Sequence, residues 1–270
     1  MKKQIFFISA LLLSSLGWGQ KKTIKVACVG NSITYGYGIE NREQNSYPSV
    51  LQHLLGKGYE VGNFGHSGAT LLNKGHRPYI QQEAYKQALN FAGDIVVIHL
   101  GINDTDPRNW PNYRDNFVKD YLSLIDDFKK ANPKAHFVIA RMTPLTHRHH
   151  RFESGTRDWH AEIQQAITLV AQQTNAQLID FHEPLYHFPQ MLPDAVHPNT
   201  QGAAILAQVV FGAITGNYGG LQLPAIYSDN MVLQHGQPLP LHGIANAGTK
   251  ITVKIAKQQL LSLIHISEPT

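Results

Sequence analysis

The chain has 270 residues, of which 43% are hydrophobic and 16% are charged. These proportions are typical of a soluble globular protein with a substantial core, and they exclude an intrinsically disordered chain. The formal net charge is +4, but the Lys and Arg residues are scattered along the chain, so nucleic-acid binding is not expected. A single cysteine, Cys28, excludes an intramolecular disulfide.

The N-terminal segment has the three parts of a secretory signal peptide. Two lysines follow Met1, an apolar run extends from Ile5 to Leu13, and small residues lead up to Gly19. The apolar run is shorter than the roughly 20 residues that a membrane-spanning helix needs, so a retained anchor is the weaker interpretation. We therefore expect a signal peptide over residues 1–19, a periplasmic or secreted protein, and no stable membrane anchor.

Short β-rich apolar runs alternate with longer amphipathic runs, a pattern typical of a parallel sheet covered by helices on both faces. We predict an α/β three-layer sandwich with a five-stranded parallel sheet in the flavodoxin-like order 2-1-3-4-5. Over residues 117–128, apolar side chains recur at intervals of three and four, which indicates a helix with one buried stripe. The predicted strands are Ile24–Val29, Tyr59–Asn63, Ile95–Leu100, His136–Ala140 and Gln177–Asp180. The predicted helices are Tyr47–Leu55, Tyr79–Phe91, Tyr113–Lys130, Arg157–Thr174 and Gln201–Ile214.

This strand order opens a crevice at the carboxyl ends of the first and third strands. Gly30–Ser32 follows the first strand, Gly68 follows the second, and Gly101–Asp104 follows the third. A fourth block, Asp194–His197, precedes the last predicted helix. We expect all four blocks to meet at the crevice.

Together the blocks contain the groups that acyl transfer requires, namely a nucleophile, a base and a carboxylate that orients the base. Ser32 follows a strand, where its hydroxyl can face the crevice; a serine that caps the next helix is the structural alternative. Asp194 lies three residues before His197, so it can bind one imidazole nitrogen while the other takes the Ser32 proton. A surface histidine beside an acid is the alternative for this pair.

Donors for the developing oxyanion are also present. We assign the backbone N–H groups of Ser32 and Gly68 and the side-chain amide of Asn103. A turn glycine and a turn-capping asparagine are the ordinary interpretations of the last two, and the functional one depends on all blocks occurring together. Three further polar residues are expected to brace the loops by hydrogen bonds instead of doing chemistry; they are Asn31, Asn63 and Asp104.

These motifs, in this order, resemble the SGNH hydrolases, also called the GDSL esterase family, over residues 24–214. The resemblance implies a serine esterase without metal or organic cofactor, with Asp194 as the third triad member. The family's usual Asp before the nucleophile is Asn31 here. That position is outside the triad, so the change mainly weakens an assignment to the lipase-like branches. The residues that match the four letters of the family name are Ser32, Gly68, Asn103 and His197.

Two other motifs suggest ligands. The His-rich run Thr146–Arg151 resembles a zinc-binding tract, but no carboxylate or cysteine stands beside it at helical spacing, so no metal site is predicted. Since the run follows the fourth strand, Arg148 and Arg151 are candidates for binding a substrate carboxylate. The glycines of 30–38 lack the spacing and the Lys-Ser/Thr ending of a phosphate-binding loop.

Beyond the hydrolase-like region, expected to span 20–216, the sequence changes character. Residues 217–222 are typical of a linker, and 223–260 alternates like a β-rich segment. The stretch 223–255 resembles the opening of sialate O-acetylesterase-type proteins, and it is too short to bury a core of its own. We interpret it as the truncated start of a second domain and 261–270 as a non-native read-through tail.

The sequence therefore predicts a serine esterase that removes acetyl groups from carbohydrate hydroxyls, with a small-molecule or glycan ester as its partner. O-acetylated sialic acid is the preferred substrate, and acetylated polysaccharide is close behind. A lysophospholipase or thioesterase of the same family is an alternative, as is a non-catalytic carbohydrate-binding protein. Oligomeric state is left open.

Overall fold

The computed structural model describes residues 22–224, 226–227, 231–232, 241, 243–246, 248–255 and 258–263. The predicted signal peptide lies outside these residues, as do parts of the predicted second domain and most of the predicted tail. Within the described ranges, every helix is too short or too polar to cross a lipid bilayer.

Five parallel strands form one sheet in the order β2-β1-β3-β4-β5, which confirms the predicted fold class. From Val26 to Gly30 every residue of β1 is buried, as expected for a strand covered on both faces. Gly30 at the end of β1 lies opposite Gly65 of β2 and His99 of β3. The loops after these three strands therefore begin at the same edge of the sheet. The strands are β1 (Ile24–Gly30), β2 (Tyr59–Gly65), β3 (Ile95–His99), β4 (His136–Arg141) and β5 (Gln177–Asp180).

Helices cover the sheet in two groups, with α3 packed on α9, and α6 packed on both α4 and α7. The apolar stripe predicted over 117–128 is buried in α6. The helices are α1 (Ser32–Tyr35), α2 (Arg42–Asn45), α3 (Tyr47–Leu55), α4 (Glu83–Phe91), α5 (Trp110–Tyr113), α6 (Phe117–Ala131), α7 (Arg157–Thr174), α8 (Glu183–Tyr186) and α9 (Thr200–Thr215).

Two helices begin later than their apolar patterns predict. Gln82 is extended (φ −89°, ψ 153°), and it separates a 3-10 turn at Tyr79–Gln81 from α4. Before α6, the short α5 is followed by a 3-10 turn at Arg114–Asn116. In both places the predicted apolar face continues through a break in the backbone, because apolar side chains of a turn can pack on the same core.

After α9 the chain leaves the helical layers at Gly216, which has a left-handed φ of 71°. Strands β6 (Lys250–Ile255) and β7 (Gln258–Leu263) pair antiparallel with each other and form a separate sheet. In β6, half-buried Ile251 and Val253 alternate with exposed Thr252 and Lys254, which is the alternation that the sequence shows.

Candidate active site

Ser32 is the first residue of α1 and is buried at the end of β1. The side-chain Oδ1 of Asn31 accepts a hydrogen bond from the Ile33 N–H at 3.0 Å and so caps this short helix. Asn31 thereby supplies the capping oxygen that an aspartate would supply. Its amide nitrogen is buried and has no partner within the described part of the chain. The strand-to-helix turn fixes the position of the Ser32 hydroxyl.

Glycines at the ends of β1 and β2 let α1 approach the sheet closely. A Cβ on Gly30 would collide with the Thr34 side chain, and it would lie 2.7 Å from the His99 carbonyl oxygen. A Cβ on Gly65 would collide with the backbone of Tyr35. Both positions therefore exclude a side chain, because the obstacle is backbone or a buried group that has no room to move.

A hydrogen-bonded relay connects the three residues of the predicted triad. The Ser32 Oγ lies 2.7 Å from Nε2 of His197, and His197 Nδ1 lies 2.6 Å from Oδ2 of Asp194. With Nδ1 protonated and donating to the carboxylate, Nε2 is free to accept the serine proton. The relay thus has the geometry of a nucleophile, a general base and a carboxylate that orients the base.

The carboxylate of Asp194 is further fixed by its own backbone turn. Its Oδ1 accepts the N–H groups of His197 at 2.7 Å and of Val196 at 3.1 Å. Partial burial raises the pKa of Asp194, but the hydrogen bonds from the His197 backbone and imidazole lower it further, and the net pKa lies below its ordinary value. Asp194 is therefore ionised at neutral pH and available to stabilise an imidazolium.

Two loops that carry the predicted oxyanion donors are tied together by Asp104. Its two carboxylate oxygens accept the backbone N–H groups of Leu71 and Leu72 at 2.9 and 2.8 Å. The neighbouring Asn103 amide donates to the Ala69 carbonyl oxygen at 2.9 Å and retains a second hydrogen for another acceptor. The loop after β3 is thus fixed against the loop that carries Gly68.

The Gly68 N–H has no protein acceptor among the contacts of the described residues. Its backbone is left-handed, with φ at 79°, and a Cβ there would lie 2.9 Å from Nη1 of Arg77. The left-handed backbone favours glycine, whereas the end of the Arg77 side chain could move aside. An unpaired N–H in a rigid loop is what an oxyanion hole requires.

The remaining residues predicted for the site form hydrogen bonds or ion pairs with other parts of the protein. Asn63 accepts the Gly65 N–H at 3.0 Å and reaches the Tyr35 carbonyl at 3.4 Å. The Nη2 of Arg148 donates to two carbonyl oxygens of the loop before Asp194, at 2.8 and 3.2 Å. Arg151 pairs with the buried Asp106 at 2.9 Å.

Three residues near the relay were missed by the sequence interpretation. The ring of Tyr37 is 4.7 Å from the ring of His197 and remains 53% exposed. Asp106 and Arg108 line a cavity of about 260 Å³ that also borders Asn103 and His197. Tyr37 follows the nucleophile by five residues and Asp106 follows Asn103 by three, so proximity to the motifs was the available signal.

Within the described ranges, His, Cys, Asp and Glu side chains form no cluster of three or more that could bind a metal ion. The His149 and His150 rings instead contact each other at a tilt of 36°, with centroids 4.6 Å apart.

The parallel sheet in the 2-1-3-4-5 order has a hydrogen-bonded serine, histidine and aspartate at its switch point. The family model described as GDSL-like Lipase/Acylhydrolase family matches residues 28–205. The chain belongs to this family.

One curated relative is an acetylxylan esterase from Xylanibacter ruminicola, which is 37% identical over 218 residues. The match covers 75% of this chain and 45% of the relative, so the chain spans about half the length of that protein.

Solved structures share the fold. An acetyl xylan esterase, AlAXEase, superposes with a TM-score of 0.54 at 21% identity over 71% of this chain and 100% of its own. A carbohydrate acetylesterase family member from Sinorhizobium meliloti gives 0.57 at 19% identity, over 73% of this chain and 100% of its own. An aryl esterase from M. smegmatis gives 0.56 at 16% identity, covering 71% and 98%.

Proposed function

We propose that this protein is a serine esterase that removes acetyl groups from carbohydrate hydroxyls through an acyl-enzyme. The observation that carries the proposal is the unbroken relay from the Ser32 hydroxyl through His197 to Asp194, with contacts of 2.7 and 2.6 Å. A non-catalytic binding protein would have no need of this arrangement, because binding a sugar requires no aligned base behind a buried hydroxyl.

In the proposed reaction, Ser32 Oγ attacks the acetyl carbonyl carbon while His197 Nε2 takes the hydroxyl proton. The carbonyl oxygen becomes an oxyanion that accepts from the N–H groups of Ser32 and Gly68 and from the Asn103 amide. When the intermediate collapses, the bond to the sugar oxygen breaks and His197 returns the proton to that oxygen. A water molecule, deprotonated by His197, then hydrolyses the acetyl-serine and releases acetate.

The relatives and the cavity favour a short acyl group on a sugar. The acetylxylan esterase from X. ruminicola matches most of this chain. The cavity beside Asn103 and His197 is lined mainly by polar side chains, including His76, Asp106 and Arg108. Polar walls suit a hydroxyl-rich leaving group better than the long acyl chain of a lysophospholipid or thioester.

Tyr37 adds a second feature suited to sugars. Its half-exposed ring lies against the His197 ring, and flat aromatic faces pack against the apolar faces of pyranose rings. Acetylated xylan is therefore the first substrate to test. O-acetylated sialic acid is the second, because segment 223–255 resembles the opening of sialate O-acetylesterase-type proteins.

We propose the same domain organisation that the sequence suggests, with a hydrolase domain over 20–216, a linker over 217–222 and the beginning of a second, β-rich domain from 223. The end of α9 at Thr215, capped by Gly216, and the family match over 28–205 support the first boundary. We also propose export to the periplasm or the exterior, where a polymeric acetylated glycan would be encountered.

The test is acetate release from acetylated xylan and from O-acetylated sialic acid, measured for the wild type, Ser32→Ala and a control, Ser123→Ala. Ser123 is exposed on α6, so its replacement should leave the rate unchanged. The Ser32 variant should lose at least about 10⁴-fold in kcat. Equal rates for wild type and Ser32→Ala would refute the proposed nucleophile. Faster hydrolysis of long-chain than of short-chain p-nitrophenyl esters would favour the lysophospholipase or thioesterase alternative.

A further inference from the structure

The cavity that borders the relay also borders a cluster of charges that the proposed chemistry does not use. His197 and Asn103 line it together with Asp106, Arg108 and Arg151. A sugar whose acetyl group is positioned at Ser32 would extend past these side chains. The cluster is therefore placed to contact the substrate itself.

One carboxylate holds both arginines in place. The Nε of Arg108 donates to Asp106 Oδ1 at 2.8 Å, and its Nη2 donates to Oδ2 at 3.0 Å. Nη1 of Arg151 approaches the same Oδ2 at 2.9 Å. Only 7% of the Asp106 side chain is exposed. The buried Asp106 carboxylate thus orients both guanidinium groups.

The cluster carries a net positive charge. Burial raises the pKa of Asp106, but the hydrogen bonds from Arg108 and the charges of Arg151 and Arg108 lower it further, and the net pKa lies well below the ordinary range. One ionised carboxylate against two permanently charged guanidinium groups leaves a charge of about +1 at neutral pH. The nearby His149 has its pKa lowered by burial, by His150 and by Arg151, so it adds little positive charge there.

Several donors of the two arginines are unused. Each guanidinium has five N–H groups, and Arg108 commits only its Nε and Nη2 to Asp106. Its side chain is 64% exposed. The Nε of Arg151 is buried without a hydrogen-bond partner within the described part of the chain. By contrast, Nη2 of Arg148 is used by the carbonyl oxygens of Pro189 and Leu192.

We infer that Arg108 and Arg151, oriented by Asp106, form a subsite for the carboxylate of an acidic sugar carried by the same glycan as the acetyl ester. The inference rests on the proposed function, since the subsite adjoins the relay. A carboxylate on a sugar ring offers two coplanar acceptor oxygens, which match the unused N–H groups of a guanidinium. Arg148, a sequence candidate for this role, is replaced by Arg108.

The experiment compares acetylated xylo-oligosaccharides with and without a glucuronic acid branch. The wild type should show a kcat/KM about tenfold higher for the acidic substrate, through KM, as expected for one charged hydrogen-bonded contact. Raising the salt concentration should reduce this ratio. In Arg108→Gln the ratio should fall towards one, and Arg108→Lys should retain part of it. Arg114→Gln is the control, because Arg114 pairs with Glu162 and should leave both rates unchanged.

A second measurement separates this inference from the proposed function. Deacetylated acidic and neutral oligosaccharides are compared as competitive inhibitors of p-nitrophenyl acetate hydrolysis, which requires no acetylated glycan to be a substrate. The acidic oligosaccharide should inhibit the wild type about tenfold more strongly than the neutral one does. The Arg108→Gln variant should be inhibited equally by the two oligosaccharides. Equal inhibition of the wild type by both would overturn the subsite, whatever the result with acetylated substrates. Stronger acidic inhibition without hydrolysis of any acetylated glycan would support the subsite and refute the proposed activity.

Discussion

The two halves of the relay are supported in different ways. Ser32 lies on a helix that begins directly after β1, and its backbone is fixed by the sheet and by close contacts at Gly30 and Gly65. Asp194 and His197 lie on a loop between α8 and α9, and their side chains are 48% and 20% exposed.

Polar ties, not strands, hold that loop in place. The Thr146 N–H donates to the Ala195 carbonyl oxygen at 3.1 Å, and Arg148 donates to the Leu192 carbonyl oxygen at 2.8 Å. Ala195 itself has a left-handed φ of 76°, which costs about 1 kcal/mol or more for a residue with a Cβ. The nucleophile is therefore placed by the core, whereas the base depends on a few long-range hydrogen bonds.

The largest effect is expected from replacing the carboxylate on the loop that carries Asp194 and His197. In Asp194→Asn the amide would favour the wrong imidazole tautomer and would not stabilise the imidazolium. We expect kcat for p-nitrophenyl acetate to fall by about 10³ to 10⁴-fold with the fold intact. Asp115→Asn, at an exposed position before α6, serves as the control. A loss of less than about tenfold would show that Asp194 does not orient the base.

Asn103→Ala tests the part of the site that is held by the sheet, since Asn103 lies on the loop directly after β3. Removing one oxyanion donor should lower kcat by about 10² to 10³-fold and leave KM nearly unchanged, because the donor acts on charge that develops in the transition state. The same variant loses the hydrogen bond to Ala69, so thermal unfolding must be measured beside the kinetics. Asn112→Ala is the matched control on α5. A change confined to KM would place Asn103 in substrate binding instead.

Arg148→Met tests how far the position of His197 depends on the hydrogen bonds of its loop, because the substitution leaves the reacting side chains unchanged. Loss of the ties to Pro189 and Leu192 should misplace His197 and lower kcat by about tenfold, within the range that a displacement of about 1 Å can cost. Arg148→Lys should restore part of the rate, since an ammonium can still reach a carbonyl oxygen. Arg157→Met, which removes an exposed pair with Asp158, is the control. An unchanged kcat would mean that the loop needs no such support.

The smallest effect on activity is expected from His99→Phe. This variant tests the buried end of β3 through the pH dependence of the free energy of unfolding. Burial, with a contribution from His160, lowers the pKa of His99 to about 3, and both ring nitrogens lack partners within the described residues. In the unfolded chain the histidine pKa is about 6.5. Between these values the unfolded state binds a proton that the folded state does not, so the wild type loses stability as pH falls.

His99→Phe removes this contribution. Urea unfolding should show that the variant loses less free energy of unfolding than the wild type between about pH 7 and about pH 4. His53→Gln, at an exposed position on α3, should follow the wild type. If the two pH dependences of wild type and His99→Phe coincide, His99 is hydrated or partnered in the folded state.

Local sequence patterns were sufficient to predict the central sheet and the buried face of α6. The five strands follow from short β-rich apolar runs and the apolar stripe of α6 from helical periodicity, because strands buried on both faces and one-sided helices impose these patterns directly. The same patterns placed helix starts too early at Tyr79 and Tyr113, because apolar periodicity does not report the non-helical backbone of Gln82 or of Tyr113 itself.

The surroundings of the relay could not be derived in this way. Arg148 and Arg151 were assigned alike from one His-rich loop, yet one contacts backbone carbonyls and the other pairs with Asp106. These partners lie more than 40 residues away in the sequence. Long side chains choose among distant partners by tertiary geometry, and a single sequence contains no periodicity that records the choice.

The central claim is that one serine hydroxyl, activated by the relay, attacks the ester. The most direct measurement is covalent labelling with a fluorophosphonate, followed by intact mass and peptide mapping. The account predicts one adduct per chain on the peptide that contains Ser32, slower labelling of His197→Ala, and no labelling of Ser32→Ala. Labelling of a different side chain, or full esterase activity without any labelling, would contradict it.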